Sequence, residues 1–280
     1  EKNHLRFFDP RGTGSSDFIN TAAKETIIRN NILVDDATNP SGRDGIGLTK
    51  DSQLGPAGDV SIYNNSYYSG ATASDLRFIK IDDIGVQNVK IHNNIFSAPL
   101  INASGIKAAI STLSLNSITV SNNNLFYMPN ATSKIADVAG TSYNLANWQT
   151  LSGQDTQTLT SDPQFASIDS ASLNYLKLSA GSPAINQGGN LIGAFEDYAG
   201  LARPQGSGYD IGVYEYPSVP PGGGTGPVIS GGSPSGQFTN ITNATLRVFT
   251  NVEASCKYSN VTGVDYSAMT NDLSPFVQLD

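Results

Sequence analysis

Val60-Ser61-Ile62-Tyr63-Asn64-Asn65 and Val89-Lys90-Ile91-His92-Asn93-Asn94 are one phrase written twice, 29 residues apart. The same phrase precedes them by 34 residues as Ile28-Arg29-Asn30-Asn31 and follows them by 29 as Val120-Ser121-Asn122-Asn123. Apolar residues alternate before each Asn pair, so Val60, Ile62, Val89, Ile91, Ile118 and Val120 are expected to point inward and their neighbours outward. A second apolar stretch recurs at a similar interval after each pair: Ile46-Gly47-Leu48, Phe78 to Ile81, Ala108-Ala109-Ile110 and Ile135 to Val138. A fixed period of about 30 residues with two to three strands in it, and no helical stretch between them, describes one coil of a parallel solenoid. The predicted class is all-β.

The paired asparagines have a mechanical role in such a coil. A sharp turn between strands needs a residue that tolerates positive φ, and Asn does so where Gly is absent. Its amide can bond the backbone and the Asn one coil away, at strand spacing. Asn30, Asn31, Asn64, Asn65, Asn93, Asn94, Asn122 and Asn123 are therefore expected to form a structural turn ladder.

Composition narrows the rest. The 280 residues are 38% hydrophobic and only 14% charged, with Gly, Asn, Ser and Thr filling the difference. That mixture suits short strands and tight turns. A net charge of −8 repels a phosphate backbone, which argues against nucleic acid as a partner. No apolar run approaches membrane-spanning length. The single Cys256 rules out an intrachain disulfide framework and a Cys-rich zinc site. A start at Glu1 without a signal-peptide pattern reads as a mature form or a fragment. The likeness of Leu5-Arg6-Phe7-Phe8 to Leu76-Arg77-Phe78-Ile79 suggests a further partial coil at the start.

The pattern changes near residue 141, where a solenoid would need an atypical unit over its open core. The expected organisation is coils over 1–140, a last coil and cap over 141–216 with Trp148 packed in it, and a Gly/Pro/Ser-rich linker over 217–234. Residues 235–280 alternate in places, as in Thr245 to Thr250 and Ala254 to Ser259, but are too few for a complete immunoglobulin-type sandwich.

These residues resemble the right-handed parallel β-helix proteins of the pectin-lyase-like superfamily over roughly 1–216. Ser182-Pro183-Ala184-Ile185-Asn186, then Asp197, Gly200, Arg203 and Asp210-Ile211-Gly212-Val213-Tyr214-Glu215, look like the end signature of secreted bacterial β-helix proteins. The tail around Ser255 to Ser259 and Tyr266 to Thr270 is similar to the first half of bacterial immunoglobulin-like modules. The resemblance implies a right-handed parallel β-helix with a C-terminal cap, followed by a partial β-sandwich module. It also implies a secreted or cell-surface bacterial location. The superfamily holds polysaccharide lyases and polygalacturonases beside non-catalytic adhesins, spikes and fibres, so the fold does not choose the activity.

For chemistry, the position just before each Asn pair gives an outward column of Arg29, Tyr63, His92 and Ser121, with neighbours about 4.8 Å apart. A sugar chain crossing it could stack on Tyr63 and bond Arg29 and His92. Arg43, in the loop Pro40 to Gly45 of the longer coil, is a further candidate for substrate binding. No catalytic residue stands out. Asp35-Asp36, Asp82-Asp83 and Asp44 are the only candidate calcium ligands, and their spacing places the two pairs on different faces, so no cofactor is expected.

The expected function is engagement of polysaccharide by an extracellular protein, without catalysis. One alternative is a lyase acting on a uronate-containing glycan, with Arg29 or His92 as base or carboxylate neutraliser. The other is a filament subunit or adhesin whose incomplete C-terminal module is completed by a strand from a neighbouring copy.

Overall fold

The computed structural model describes residues 2–7, 17–35, 44–70, 76–102, 104, 106–190 and 196–217, and four strands beyond them. Contacts divide the chain into two units, Glu1–Tyr216 and Pro217–Asp280.

The first unit winds through repeated passes of three strands. The first pass is β1 (His4–Phe7), β2 (Ile19–Thr21) and β3 (Ile27–Arg29). The second is β4 (Ile32–Asp35), β5 (Ile46–Leu48), a small hairpin of β6 (Lys50–Asp51) and β7 (Gly55–Pro56), and then β8 (Ser61–Tyr63). The third is β9 (Ser66–Ser69), β10 (Leu76–Ile81) and β11 (Val89–His92), and the fourth β12 (Ile95–Ser97), β13 (Ile106–Thr112) and β14 (Ile118–Asn122). A last β15 (Leu125–Tyr127) and β16 (Ala136–Val138) lead through β17 (Thr141–Tyr143) into α1 (Leu145–Ser152).

Stacked passes make three sheets. Sheet I is β1-β4-β9-β12-β15, sheet II is β2-β5-β10-β13-β16-β17, and sheet III is β3-β8-β11-β14. All pairings in them are parallel except β16 with β17. The parallel solenoid is thus present, and the second apolar stretches of the repeat are the strands of sheet II. Leu5 to Phe7 does not join Leu76 to Ile79 in that sheet. It pairs with Leu33 to Asp35 in sheet I.

The turn from sheet III to sheet I explains the Asn pairs. Only Asn30 and Asn31 separate β3 from β4, and only Asn64 and Asn65 separate β8 from β9. The first member takes positive φ at Asn30 (53°), Asn64 (52°), Asn93 (54°) and Asn123 (52°), a left-handed conformation that Asn enters more readily than most residues. The second member points inward and is buried at Asn31, Asn65, Asn94 and Asn124. Each inward Oδ1 accepts both the backbone N–H and the Nδ2 of the residue one pass earlier: Asn31 onto Asn65 (3.0 and 2.9 Å), Asn65 onto Asn94 (3.1 and 2.9 Å), Asn94 onto Asn124 (3.1 and 3.1 Å).

The ladder extends further than the paired phrase. Asn3 donates to Asn31 Oδ1 from both its nitrogens, behind a positive-φ Lys2. At the other end Thr158 Oγ1 accepts the Asn124 N–H, and Asp155 takes the Asn124 Nδ2.

One expectation is corrected here. The fourth rung is Asn123-Asn124, and Asn122 lies on β14 opposite His92. The register between β11 and β14 shifts after Val89, which faces Ile118 while Lys90 faces Val120. Thr119 is the extra residue of a bulge, and one extra residue flips every side chain after it. Ser121 therefore turns inward and is buried, while Val120 turns out of the interior.

The first three sheet III strands are also preceded by a positive-φ residue, at Glu25 (54°), Asp59 (52°) and Asn88 (56°). Bridges between Lys24, Gly58 and Gln87 stack these corners. This second corner column is written in mixed residues and escaped the sequence reading.

The interior is a single apolar cluster that includes an aromatic file. Tyr67, Phe96 and Phe126 are in register on sheet I, with Phe78 of sheet II beside them. Phe78 stacks on Phe96 with centroids 4.9 Å apart, and Phe96 on Phe126 at 5.4 Å. Beyond β17, fully buried Trp148 of α1 joins the same cluster. Its Nε1 donates to Asp155 Oδ2 at 2.9 Å.

The rest of the expected cap, over residues 160–190 and 196–216, does something different. It lies along the flank of the solenoid on the outer face of sheet I. Tyr175, Leu176 and Val213 pack on Ile32, Val34 and Tyr68, and Leu178, Ala184 and Ile211 pack on Ile95 and Leu125. Strands β4, β9 and β12 are buried on both faces for this reason, as a continuous apolar run such as Ile32-Leu33-Val34 requires.

This cover is held by the outward member of each Asn pair. Nδ2 of Asn30, Asn64, Asn93 and Asn123 donates to the carbonyls of Glu196, Gly212, Gly189 and Gln187, at 3.0, 3.2, 2.8 and 3.0 Å. Gly212 (φ 101°) sits so close to the sheet that a Cβ there would meet Ile95 Cδ1 at 2.6 Å. Arg203 and Glu215 form a fully buried ion pair at 2.5 Å within it. Arg203 Nη2 also donates to Gly212 O at 2.9 Å, and Glu215 accepts from the backbone of Gln205 and Asp210. Asp197 accepts from the backbone of Leu201 and Glu215, and Asp210 from Asn186 and Tyr216. The residues of the end signature are therefore the internal bracing of the cover.

In the second unit, β18 (Ile229–Ser233) pairs antiparallel with β19 (Arg247–Thr250), and β20 (Cys256–Tyr258) with β21 (Asn271–Leu273). Residues 229–233 of the expected linker are thus a strand.

Candidate functional site

The outward column on sheet III exists in register: Arg29 faces Tyr63, Tyr63 faces His92, and His92 faces Asn122. Asn122 takes the place expected for Ser121, because of the bulge. Arg43 lies outside the described residues.

The column is more enclosed than a bare sheet face. Tyr63 is only 8% exposed. The Arg29 guanidinium lies over its ring, with Cζ 5.9 Å from the centroid, and Nη1 donates to the phenol Oη at 3.4 Å. Tyr63 thus acts as a post that positions Arg29, and its ring face is not open for a sugar to stack on. Arg29, His92 and Asn122 are half-buried and mark the accessible edge. Burial pushes the His92 imidazole below its ordinary value of 6.5, Asp155 opposes that shift, and Lys90 adds to it. At neutral pH His92 is an uncharged donor and acceptor.

A second constellation, on the outer face of sheet II, was missed. Asn20, Gly47, Lys80, Ser111, Asp137 and Ser142 stand in register across six strands. Beside them Asp44 is buried and accepts from Arg77 Nη1 at 3.2 Å, while Lys80 Nζ lies 3.8 Å from Asp44 and 2.9 Å from Asp82. Burial raises the Asp44 carboxyl, and Arg77 partly offsets this. Asp17 raises it further. Its trace in the sequence is the one-pass offset between Asp44 and Arg77.

The expected calcium candidates part company. Asp35 is buried at the end of β4 in sheet I, with Ser69 Oγ donating to it at 3.4 Å, whereas Asp82 is exposed beside sheet II. Among the described residues no group of three His, Cys, Asp or Glu side chains converges to hold a metal. No helix among them is long and apolar enough to cross a membrane.

Where the sheet III column reaches the last pass, it meets an open groove of about 420 Å³ between 156–159 and 186–188 of the cover. Gln157 N–H donates to Asn122 Oδ1 at 2.8 Å, which ties the column to the groove wall. The chain matches no family model, no curated protein and no solved structure.

Proposed function

We propose that the protein is an extracellular member of the pectin-lyase-like β-helix class that holds a polysaccharide along sheet III without cleaving it. The observation that carries this reading is the in-register column of Arg29, His92 and Asn122, with Tyr63 supporting the guanidinium. Parallel stacking repeats hydrogen-bonding groups at strand spacing along the solenoid axis, and an extended glycan repeats its hydroxyls along one direction too. Sheet I is unsuited to the role because the cover occupies its outer face. The acidic, Asn/Gly/Ser/Thr-rich chain and the likeness of its second unit to immunoglobulin-like modules support a secreted or surface setting. Ala at Arg29 or at His92 should weaken capture on a glycan array by about fivefold or more, the loss expected from one hydrogen bond to a charged or buried group. Unchanged capture by both variants would remove the reading.

A uronate lyase is the second reading. It is favoured by the neutral state that burial imposes on His92, which leaves the imidazole able to accept a proton, with Arg29 two strands away to neutralise a carboxylate. Incubation with alginate, pectate and chondroitin, followed by ultraviolet absorbance of unsaturated products, separates the two: absorbance that His92→Ala abolishes would replace binding by cleavage.

A further inference from the structure

We propose that the groove between the last pass and the cover is a subsite for neutral, hydroxyl-rich sugar residues. The proposal rests on the glycan reading above and specifies the chemical class that this end of the site takes.

The groove's walls come from two distant parts of the chain, around Thr156 to Thr158 and around Asn186 to Gly188, with the corner residue Asn123 between them. Its volume is about 420 Å³, and it is open to solvent rather than enclosed. None of its lining residues carries a charge. Two buried carboxylates border it without lining it: Asp155 is turned toward Trp148 Nε1, Thr158 Oγ1 and Asn124 Nδ2, and Asp210 accepts the Asn186 and Tyr216 N–H groups. An acidic sugar entering here would find no cation to offset the desolvation of its carboxylate, whereas a neutral one has no such cost.

The lining divides into fixed and available groups. Asn123 Nδ2 donates to Gln187 O, and Asn186 Oδ1 accepts the Gly208 N–H at 2.9 Å, so these two amides brace the walls. Thr156, Gln157 and Gln187 are exposed, and among the described residues their side-chain polar atoms make no hydrogen bond. A Gln amide offers two donors and two acceptor lone pairs, and a hydroxyl offers one donor and two acceptors. Two such amides and one hydroxyl facing one groove complement vicinal sugar hydroxyls, each of which both donates and accepts. Leu159 and Gly188 add the apolar surface that sugar C–H faces require. Continuity with the column through Gln157 and Asn122 makes the groove the place where a chain lying along sheet III ends.

The test is calorimetric titration of the full chain with neutral β-linked gluco-, xylo- and manno-oligosaccharides and with oligogalacturonate, for the wild type, Gln157→Ala/Gln187→Ala and Arg29→Ala. Both glutamines are exposed, so the double variant should keep its circular dichroism spectrum. The expected result is binding of at least one neutral oligosaccharide, insensitive to added salt and weakened about tenfold or more in the double variant. Neutral binding unaffected by the double substitution overturns the subsite. Binding of oligogalacturonate alone, lost in Arg29→Ala, overturns the subsite and leaves the glycan reading standing. Silence toward every oligosaccharide takes both.

Discussion

Two adjacent asparagines in this chain do opposite work, and the difference is decided by backbone conformation. The first, at positive φ, aims its amide outward to a carbonyl of the cover; the second aims inward to the next rung. Buried amides left without partners cost about 1–3 kcal/mol each. Asn124→Ala removes the acceptor for two Asn94 donors and should lower stability by about 2–3 kcal/mol in urea unfolding. Asn122→Ala, two residues earlier and half-buried, should cost clearly less. The reverse order would restore the register expected from sequence. Protonation at residue scale is equally specific. Burial, reinforced by Glu215, raises Asp210 from 3.8 to about 6. The folded state therefore binds this proton more tightly than the unfolded chain does. The stability it contributes is full below about pH 4 and is lost as pH rises through its folded value. His92 has the opposite sign: its lowered value makes folding less favourable as pH falls below 6.5. Urea midpoints over this range should show Asp210→Asn abolishing the loss on the alkaline side, and His92→Gln abolishing the loss on the acid side.

Among the elements, α1 and the cover close the solenoid in different directions. Helix α1 starts at an Asn144 cap whose side chain accepts the Asn147 N–H, and it stops at Gly153 with φ 69°. A Cβ at Gly153 would meet nothing within 4 Å, so Gly153→Ala isolates the backbone cost. That cost should be about 1 kcal/mol, read from the thermal midpoint. The cover depends on the Arg203–Glu215 pair in a way the helix does not. Removing one partner leaves a buried charge uncompensated, at about 3–5 kcal/mol. Arg203→Ala should expose 186–216 to limited proteolysis before the interior unfolds, whereas simultaneous global unfolding would show that the cover is part of the same cooperative unit. The elements were unequally legible. Sheets II and III could be read because their strands alternate. The sheet I strands begin directly after the Asn pairs without apolar–polar alternation, as in Ile32-Leu33-Val34, because the element covering their second face lies far away in sequence. The signature at Arg203 and Asp210 was visible, but its place on a flank depends on contacts with asparagines more than a hundred residues earlier.

Across the whole molecule, the period sufficed for the architecture because stacking turns a one-dimensional repeat into vertical neighbours. Arg29, Tyr63 and His92 came out aligned for that reason alone. The column's last member did not, since the bulge at Thr119 leaves no trace in composition. Enclosure of Tyr63 was also out of reach, as it depends on what packs around its ring. The glycan reading makes a prediction at this scale: oligosaccharide binding should be independent of salt in the groove and weaken with salt along the column, because only the column offers a guanidinium. Titrations of Arg29→Ala at low and high ionic strength check this, and a salt response that survives the substitution would place the charged contact elsewhere.

Of the three edges where the winding changes direction, one never varies in length: two residues, both asparagine at every crossing between sheets III and I. The crossings from sheet II to sheet III vary in length, and one of them carries the extra β6–β7 hairpin. Such a molecule has a spine and a free margin. Foreign segments spliced into a margin would leave the vertical alignment intact, while a single residue added to the spine would rotate every later pass out of step.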